Sequence, residues 1–358
     1  MIRILMSGLS NDRVELAVVK GLSSAGVRLH AIADPGSAFV AEARAMDMPC
    51  VEYRFQHRFD RAAVQLYRRL MAEHSFDVLH CLSNRSLSTA LLATRNMARP
   101  PVIVAYRGTM GHLSWFDPAS HYSYLHRRVD SIICVSGAVR DYLRGFRIPE
   151  RRLEVIWKGH DPCWYQAAPR SALHELGIPD DAVVVNFTGN IRPVKGADVL
   201  LRAFAHIRPE ENIHLVLVGE VRDKNVKRLL ERAPLYVHAI GFREDAIGLA
   251  GACDIAAMPS VEREGLPKSV LEAMAQGVPA VVSDVGGMPE VVEDGVSGIV
   301  VPPKNAEALA AAIRRLAGHA ELRQQMGRAA RTRIEGPFHI RHTVEKTLSL
   351  YQRLIATP

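Results

Sequence analysis

Short apolar runs alternate along this chain with longer segments whose apolar positions recur at helical spacing. The first series reads IRILM, RVELAVVKGLSSAG, VRLHAIA and later FDVLHCL, PPVIVAY and SIICVS. Near-continuous apolar strands separated by amphipathic stretches are the signature of βαβ units and a parallel sheet. A second series follows, with VVVNFTG, a helix from about Gly196 to Ile207, IHLVLVG, VHAIG, CDIAAMP, a helix carrying SVLEAMAQG, and PAVVSD. The pattern predicts two α/β units in tandem. Gly159, Pro162, Pro169 and Pro179 interrupt any regular period, so a linker is expected near residues 160 to 175, with one domain over 1–165 and another over 166–339. After Asn305 the pattern predicts a helical tail: EALAAAIRRLAG, then Ala320 to Arg333, then a last amphipathic helix ending at Tyr351.

The chain has 358 residues, 48% of them apolar and 23% charged, which describes a globular protein too long for one hydrophobic core. Cys50, Cys81, Cys134, Cys163 and Cys253 are scattered, without a CxxC pair or metal-type spacing to histidine, and are read as reduced thiols. The start, MIRILMSGLS, runs straight into a strand pattern without an export leader, so a cytoplasmic protein is expected. No stretch approaches the roughly 20 apolar residues of a membrane span. Any membrane contact is therefore expected to be peripheral, at the inner face of the cytoplasmic membrane.

Net charge is +7, and residues 1–165 carry all of it, with 22 Lys and Arg against 15 Asp and Glu. Such a half suits an anionic partner, or serves solubility alone. The segment EYRFQHRFDRAAVQLYRRLMAE sets Arg54, Arg58, Arg61, Arg68 and Arg69 among Phe55, Phe59, Leu66, Tyr67 and Leu70. A helix of that composition can lie on an anionic membrane. Equally, it can pack its apolar side on the sheet with solvated arginines outside. No aromatic–basic nucleic-acid motif is visible, and no nucleic-acid partner is expected.

Residues 260–303 carry the most chemistry. Gly265, Leu266 and Pro267 lead from a strand end into a helix starting near Ser269, and such a helix N-terminus offers backbone N–H groups and positive dipole to phosphate. Glu264 falls in the loop before that helix and Glu272 one turn inside it, within the otherwise apolar LEAMA. Carboxylates at these two depths suit a sugar nucleotide, since each can accept from a pair of vicinal hydroxyls. Val282-Ser283-Asp284 ends a strand, and Gly286-Gly287 lets the backbone turn close to a ligand. Upstream, FTGNIRPVKG places Arg192 and Lys195 at a strand-to-helix turn, where cations can neutralise a departing diphosphate in place of a metal ion. No DxD motif with acidic neighbours is present, and neither a metal nor a cofactor is expected.

These residues resemble the retaining glycosyltransferases of family 4, with the α/β GT-B fold of two Rossmann-like domains whose parallel sheets face a central cleft. The likeness covers nearly the whole chain and is most specific in E-x7-E, Glu264 to Glu272, within EGLPKSVLEAMAQGVPAVVSDVGGMPEVV. It implies Glu272 on the nucleotide ribose, Glu264 by the donor sugar, backbone contacts from Gly265 and Leu266, and Lys195 on the diphosphate. It further implies Gly219 and Glu220 beside the nucleotide and Phe242 and Arg243 along the base. Many members carry Arg directly after the Gly of that first strand, where this chain has Asn190, with Arg192 two places on.

On the acceptor side the resemblance implies Gly8 in the first loop, here within Ser7-Gly8-Leu9-Ser10. Tyr106-Arg107-Gly108 stands where many members have His-Gly, so Arg107 suggests an anionic group on acceptor or donor, or else an ion pair with Asp117 or Asp130. His112 follows nearby. Ser136 and Lys158-Gly159-His160-Asp161 match the closing elements of that domain, and the last helix, about 340–358, is expected to pack back on it. The implied activity moves a sugar from a UDP-, GDP- or ADP-linked donor to a glycan or lipid-linked acceptor, in bacterial surface polysaccharide or lipopolysaccharide synthesis. The alternatives are a sugar-nucleotide epimerase, a phosphorylase-like enzyme needing a pyridoxal-phosphate lysine, and a catalytically silent binding partner.

Overall fold

A computed structural model describes residues 1–356. The chain divides into two compact units, Met1–Lys158 completed by the segment from Ile340 onward, and Gly159–His339.

In the first unit the apolar runs form β1 (Arg3–Leu9), β2 (Arg28–Ala33), β3 (Cys50–Glu52), β4 (Val78–Cys81), β5 (Val102–Arg107), β6 (Ser131–Cys134) and β7 (Leu153–Val155). They make one parallel sheet in the order β3-β2-β1-β4-β5-β6-β7. Helices cover both faces, which is why all four residues of β4 and of β6 are buried and neither strand alternates apolar with polar positions. The edge strands β3 and β7 have three residues each and are only partly buried.

The helix Arg13–Ser24 begins on Asp12, whose carboxylate accepts from the N–H groups of Val14 and Glu15. At Gly21 of this helix an added Cβ would lie 2.7 Å from Val344, so the helix Ile340–Ala356 approaches as closely as only glycine permits. Tyr351 of that last helix is fully buried, and its hydroxyl lies 2.6 Å from His80 Nδ1 on β4. Burying Leu350 and Tyr351 contributes roughly 1.5–3 kcal/mol each to holding it there.

The arginine-rich segment is helical only over Arg61–Glu73. Asp60 ends the preceding irregular stretch by capping that helix at Ala63 N–H while accepting from Tyr53 Oη at 2.8 Å and from Gln56 N–H. Arg54 and Arg58 therefore precede the helix and share no face with Arg61 and Arg68.

The second unit contains β8 (Val183–Thr188), β9 (Ile213–Val218), β10 (Val237–Gly241), β11 (Ile255–Met258), β12 (Ala280–Ser283) and β13 (Gly298–Val301). All are parallel, in the order β10-β9-β8-β11-β12-β13. The helix entered through FTGNIRPVKG runs Ala197–Phe204, preceded by a short 3-10 turn, Pro193–Lys195, which absorbs the proline.

Candidate active site

In the second sheet the chain winds outward through β8, β9 and β10, then restarts next to β8 and winds the other way through β11, β12 and β13. The carboxyl ends of β8 and β11 thus flank the point where the strand order reverses, the place at which open α/β sheets take ligands. Two loops meet there. One runs from Gly189 to Lys195 after β8, the other from Pro259 to Pro267 after β11.

Backbone packing fixes the first loop. Gly196 has φ +70°, and a Cβ there would fall 1.9 Å from the carbonyl oxygen of Pro259, so the helix entry rests directly on the second loop. Val261 N–H donates to Val194 O at 2.9 Å and ties the two together. Gly219, at the end of β9, is pressed the same way onto Gly189, with 2.0 Å from its would-be Cβ to the Gly189 oxygen. Both loops are held by glycines for which no side chain can substitute without moving backbone.

On this frame Lys195 Nζ lies 2.7 Å from Glu264 Oε2. Ser260 Oγ donates to the same oxygen at 2.9 Å, and Gly287 N–H donates to the Glu264 carbonyl at 3.2 Å. Ser283 Oγ in turn donates to Ser260 O. Glu264 is 8% exposed, and a cation and a hydroxyl satisfy the carboxylate there. Arg263, just before it, takes φ +59°, a conformation that costs a side-chain-bearing residue about 1–2 kcal/mol and accompanies functional loops. One helix turn beyond the loop, Glu272 is 7% exposed in Lys268–Ala275, and Lys268 Nζ stands 3.7 Å from its Oε1. Gly265 is buried and Leu266 half-buried between the two carboxylates.

The remaining donor-side residues lie farther out. Arg192 is exposed at the start of the 3-10 turn. Glu220 pairs with Arg222, while Arg243 is held by Asp245 at 2.7 Å. Phe242 is 78% exposed beyond the end of β10.

In the first unit the strand order reverses between β1 and β4. Gly8 sits there with φ +85°, and a Cβ would stand 3.1 Å from Ser83 Oγ, which caps the helix Asn84–Ala93. Arg107 closes β5 and is 4% exposed. It pairs with neither Asp117 nor Asp130. Its Nε donates to Thr109 O at 2.8 Å and its Nη2 to Gly111 O, with the guanidinium 4.7 Å over the ring of Tyr124. Arg107 therefore shapes the loop that carries the exposed His112, itself at φ +61°.

Sequence reasoning passed over Ser260 and Lys158 as polar partners. Lys158 Nζ lies 2.7 Å from Asp12 and 3.3 Å from Glu15, with its ammonium 5.5 Å from the Tyr106 ring. Burial works against its charge, but Tyr106, Glu15 and Asp12 outweigh it and raise its pKa. The signal for Ser260 was its place at the end of β11, four residues before Glu264.

Two family models match the chain. Residues 13–163 fit the family described as Glycosyltransferase Family 4, and residues 171–333 fit Glycosyl transferases group 1. The chain belongs to the family 4 glycosyltransferases. It is 34% identical over 207 residues to a D-inositol 3-phosphate glycosyltransferase of Saccharomonospora viridis, covering 53% of this chain and 47% of that protein. The chain thus spans about half the length of the curated relatives it matches. A glycosyltransferase structure from Rickettsia africae superposes with TM-score 0.85 at 20% identity, over 100% of this chain and 99% of the other. Anabaena HepE in complex with UDP and glucose does so with TM-score 0.82 at 22% identity, over 99% and 100%. The fold is GT-B.

Proposed function

We propose that the chain is a retaining, metal-independent glycosyltransferase that moves a sugar from a UDP-, GDP- or ADP-linked donor to a glycan or lipid-linked acceptor. Synthesis of a bacterial surface polysaccharide or lipopolysaccharide is the setting we assign. The observation that carries this reading is the pair of half-buried Lys195 and buried Glu264 joining the loops at the reversal of strand order, with buried Glu272 one helix turn beyond. The likeness to a fold solved with UDP and glucose supports it.

Lys195 has three N–H donors, so it can keep its bond to Glu264 and still donate to a phosphate oxygen. Negative charge on that oxygen grows as the bond to the anomeric carbon breaks, and a fixed cation there lowers the barrier. Arg192, four residues before Gly196 at the helix entry, supplies a second cation. Glu272 accepts from the ribose hydroxyls and Glu264 from the donor sugar, with Gly265 and Leu266 contributing backbone; Gly219 borders the nucleotide, and Phe242 and Arg243 line its base. The anomeric C–O bond breaks with its electron pair passing to the phosphate. The acceptor oxygen bonds the same face of the anomeric carbon, and its proton passes to the departing phosphate oxygen, so no strong protein base is needed.

The acceptor is assigned to the first unit, by Gly8 and by the loop that Arg107 shapes and that carries His112. Peripheral contact with an anionic membrane would bring a lipid-linked acceptor there. A thermal-shift screen of UDP-, GDP- and ADP-sugars tests the donor reading, because a ligand at 100 times its Kd adds about 2.7 kcal/mol of stability. Absence of any shift across all three classes would remove the nucleotide-sugar from this site. The product anomer, read by NMR, tests retention.

A further inference from the structure

Of the arginines in the basic segment, three are already drawn to carboxylates: Arg54 lies 3.6 Å from Asp34, Arg58 3.8 Å from Asp117 and Arg69 3.9 Å from Glu73. Arg61 and Arg68 have no such partner among the described residues. They line a groove of about 640 Å³ together with Arg95, which follows the helix Asn84–Ala93 and is likewise unpaired. The rest of the lining is neutral, with Phe59 and Leu92 as its large apolar members and no Asp or Glu. Phe59 is 48% exposed and packs edge-on against Tyr122, with 5.7 Å between ring centroids.

One feature sets this groove apart from an ordinary solvated helix face. Its three arginines come from two separate elements and line it without a carboxylate, so an anion there meets cations from both. Arg61 is the first residue of its helix, and the positive end of that helix is already taken by Asp60, whose carboxylate accepts from Ala63 N–H. An anion in the groove therefore gains from the guanidiniums alone. Planar guanidinium forks match phosphate oxygens two at a time, and the apolar lining offers contact to a hydrocarbon or ring next to the phosphate.

We propose that this groove is a binding site for a group carrying two or more phosphate charges next to an apolar moiety, supplied by a lipid headgroup or by a soluble phosphorylated compound. The site lies within the first unit and does not rest on the donor reading. It deepens the membrane contact proposed above by reducing the five arginines of that segment to two and adding Arg95.

The test uses the full chain carrying Lys195→Ala, so that the donor side does not capture the probe. Pyrophosphate is titrated by calorimetry at low salt, and sedimentation is followed with phosphatidylcholine vesicles with and without phosphatidic acid. Arg61→Gln/Arg68→Gln/Arg95→Gln is expected to lose about fivefold in affinity per arginine. Arg54→Gln/Arg58→Gln/Arg69→Gln removes the same net charge and is expected to stay within about twofold of the parent, because those arginines already have partners. Equal thermal midpoints of the two triple variants establish that both fold. Pyrophosphate binding without vesicle binding supports the groove with a soluble ligand and defeats the membrane contact. Arginine-dependent vesicle binding alone supports it with a headgroup. Equal losses in the two triple variants, or no binding of either probe by the parent, overturn the proposal.

Discussion

Lys195 and Glu264 are 69 positions apart in sequence, yet Nζ and Oε2 meet at 2.7 Å beyond the carboxyl ends of the two middle strands of the second sheet. Neither residue could hold its place alone. The lysine is delivered by a turn that glycine packing clamps to Pro259, and the carboxylate is oriented by Ser260. The pair keeps a cation and an anion poised at one point, where each can be shared with an incoming ligand.

Lys195→Ala is expected to lower kcat by about 10²–10³ with a smaller change in KM, because the charge it opposes is largest in the transition state. Steady-state kinetics with the donor found by thermal shift decides this. A change confined to KM would place Lys195 in ground-state binding only.

Glu272→Ala should weaken nucleotide binding about 10- to 100-fold, the range for losing hydrogen bonds to a charged acceptor, while the protein remains folded. Calorimetry with the free nucleoside diphosphate measures it. Unchanged affinity would take Glu272 out of the site.

Transfer activity is expected to persist in EDTA, since Lys195, with Arg192, supplies the positive charge that a divalent ion would otherwise bring. Loss in EDTA with recovery on adding Mg²⁺ or Mn²⁺ would reverse the assignment.

Arg107→Lys keeps the charge but loses the fork that reaches Thr109 O and Gly111 O together. Faster amide exchange over residues 108–113 is expected, at a cost of about 1–2 kcal/mol in unfolding free energy. Exchange rates equal to wild type would mean that the loop holds its own shape.

Burial drives the pKa of His80 down to about 4 from the usual 6.5. Between these values the unfolded chain binds more protons than the native one, so stability is full above the unfolded pKa and falls as pH drops toward 4. The loss amounts to about 3 kcal/mol when complete. His30, His126, His214 and His238 are lowered by burial too and act in the same direction. Denaturant unfolding at about pH 7.5 and pH 5 should show the drop, and a shallower pH slope is expected for His80→Gln.

The α/β fold was legible because both sheets are covered on two faces, which turns central strands such as VLHC and IAAM into mostly apolar runs without polar alternation. The edge strands β3 and β7 escaped notice because three residues show no period. The last helix, expected to end at Tyr351 on one count and to run about 340–358 on another, spans Ile340–Ala356, with Leu354, Ile355 and Ala356 carrying it past Tyr351. At the candidate site, Glu264, Glu272 and Lys195 stood out by type and by nearby glycines, but their distances depend on contacts between loops remote in sequence. Arg107 illustrates that limit: its charge was visible, whereas its direction, toward Thr109 and Gly111, follows from the turn after β5.

The first unit is assembled from both ends of the described chain, with Tyr351 of the helix Ile340–Ala356 closing over His80. A ribosome releases β1 through β7 long before that helix exists, whereas Gly159–His339 emerges as one continuous stretch. The unit begun first is therefore finished last. During translation the surface around Gly21 and His80 waits uncovered for its final helix, and a stop codon shortly before Ile340 would cripple the amino-terminal half while sparing the half translated just before it.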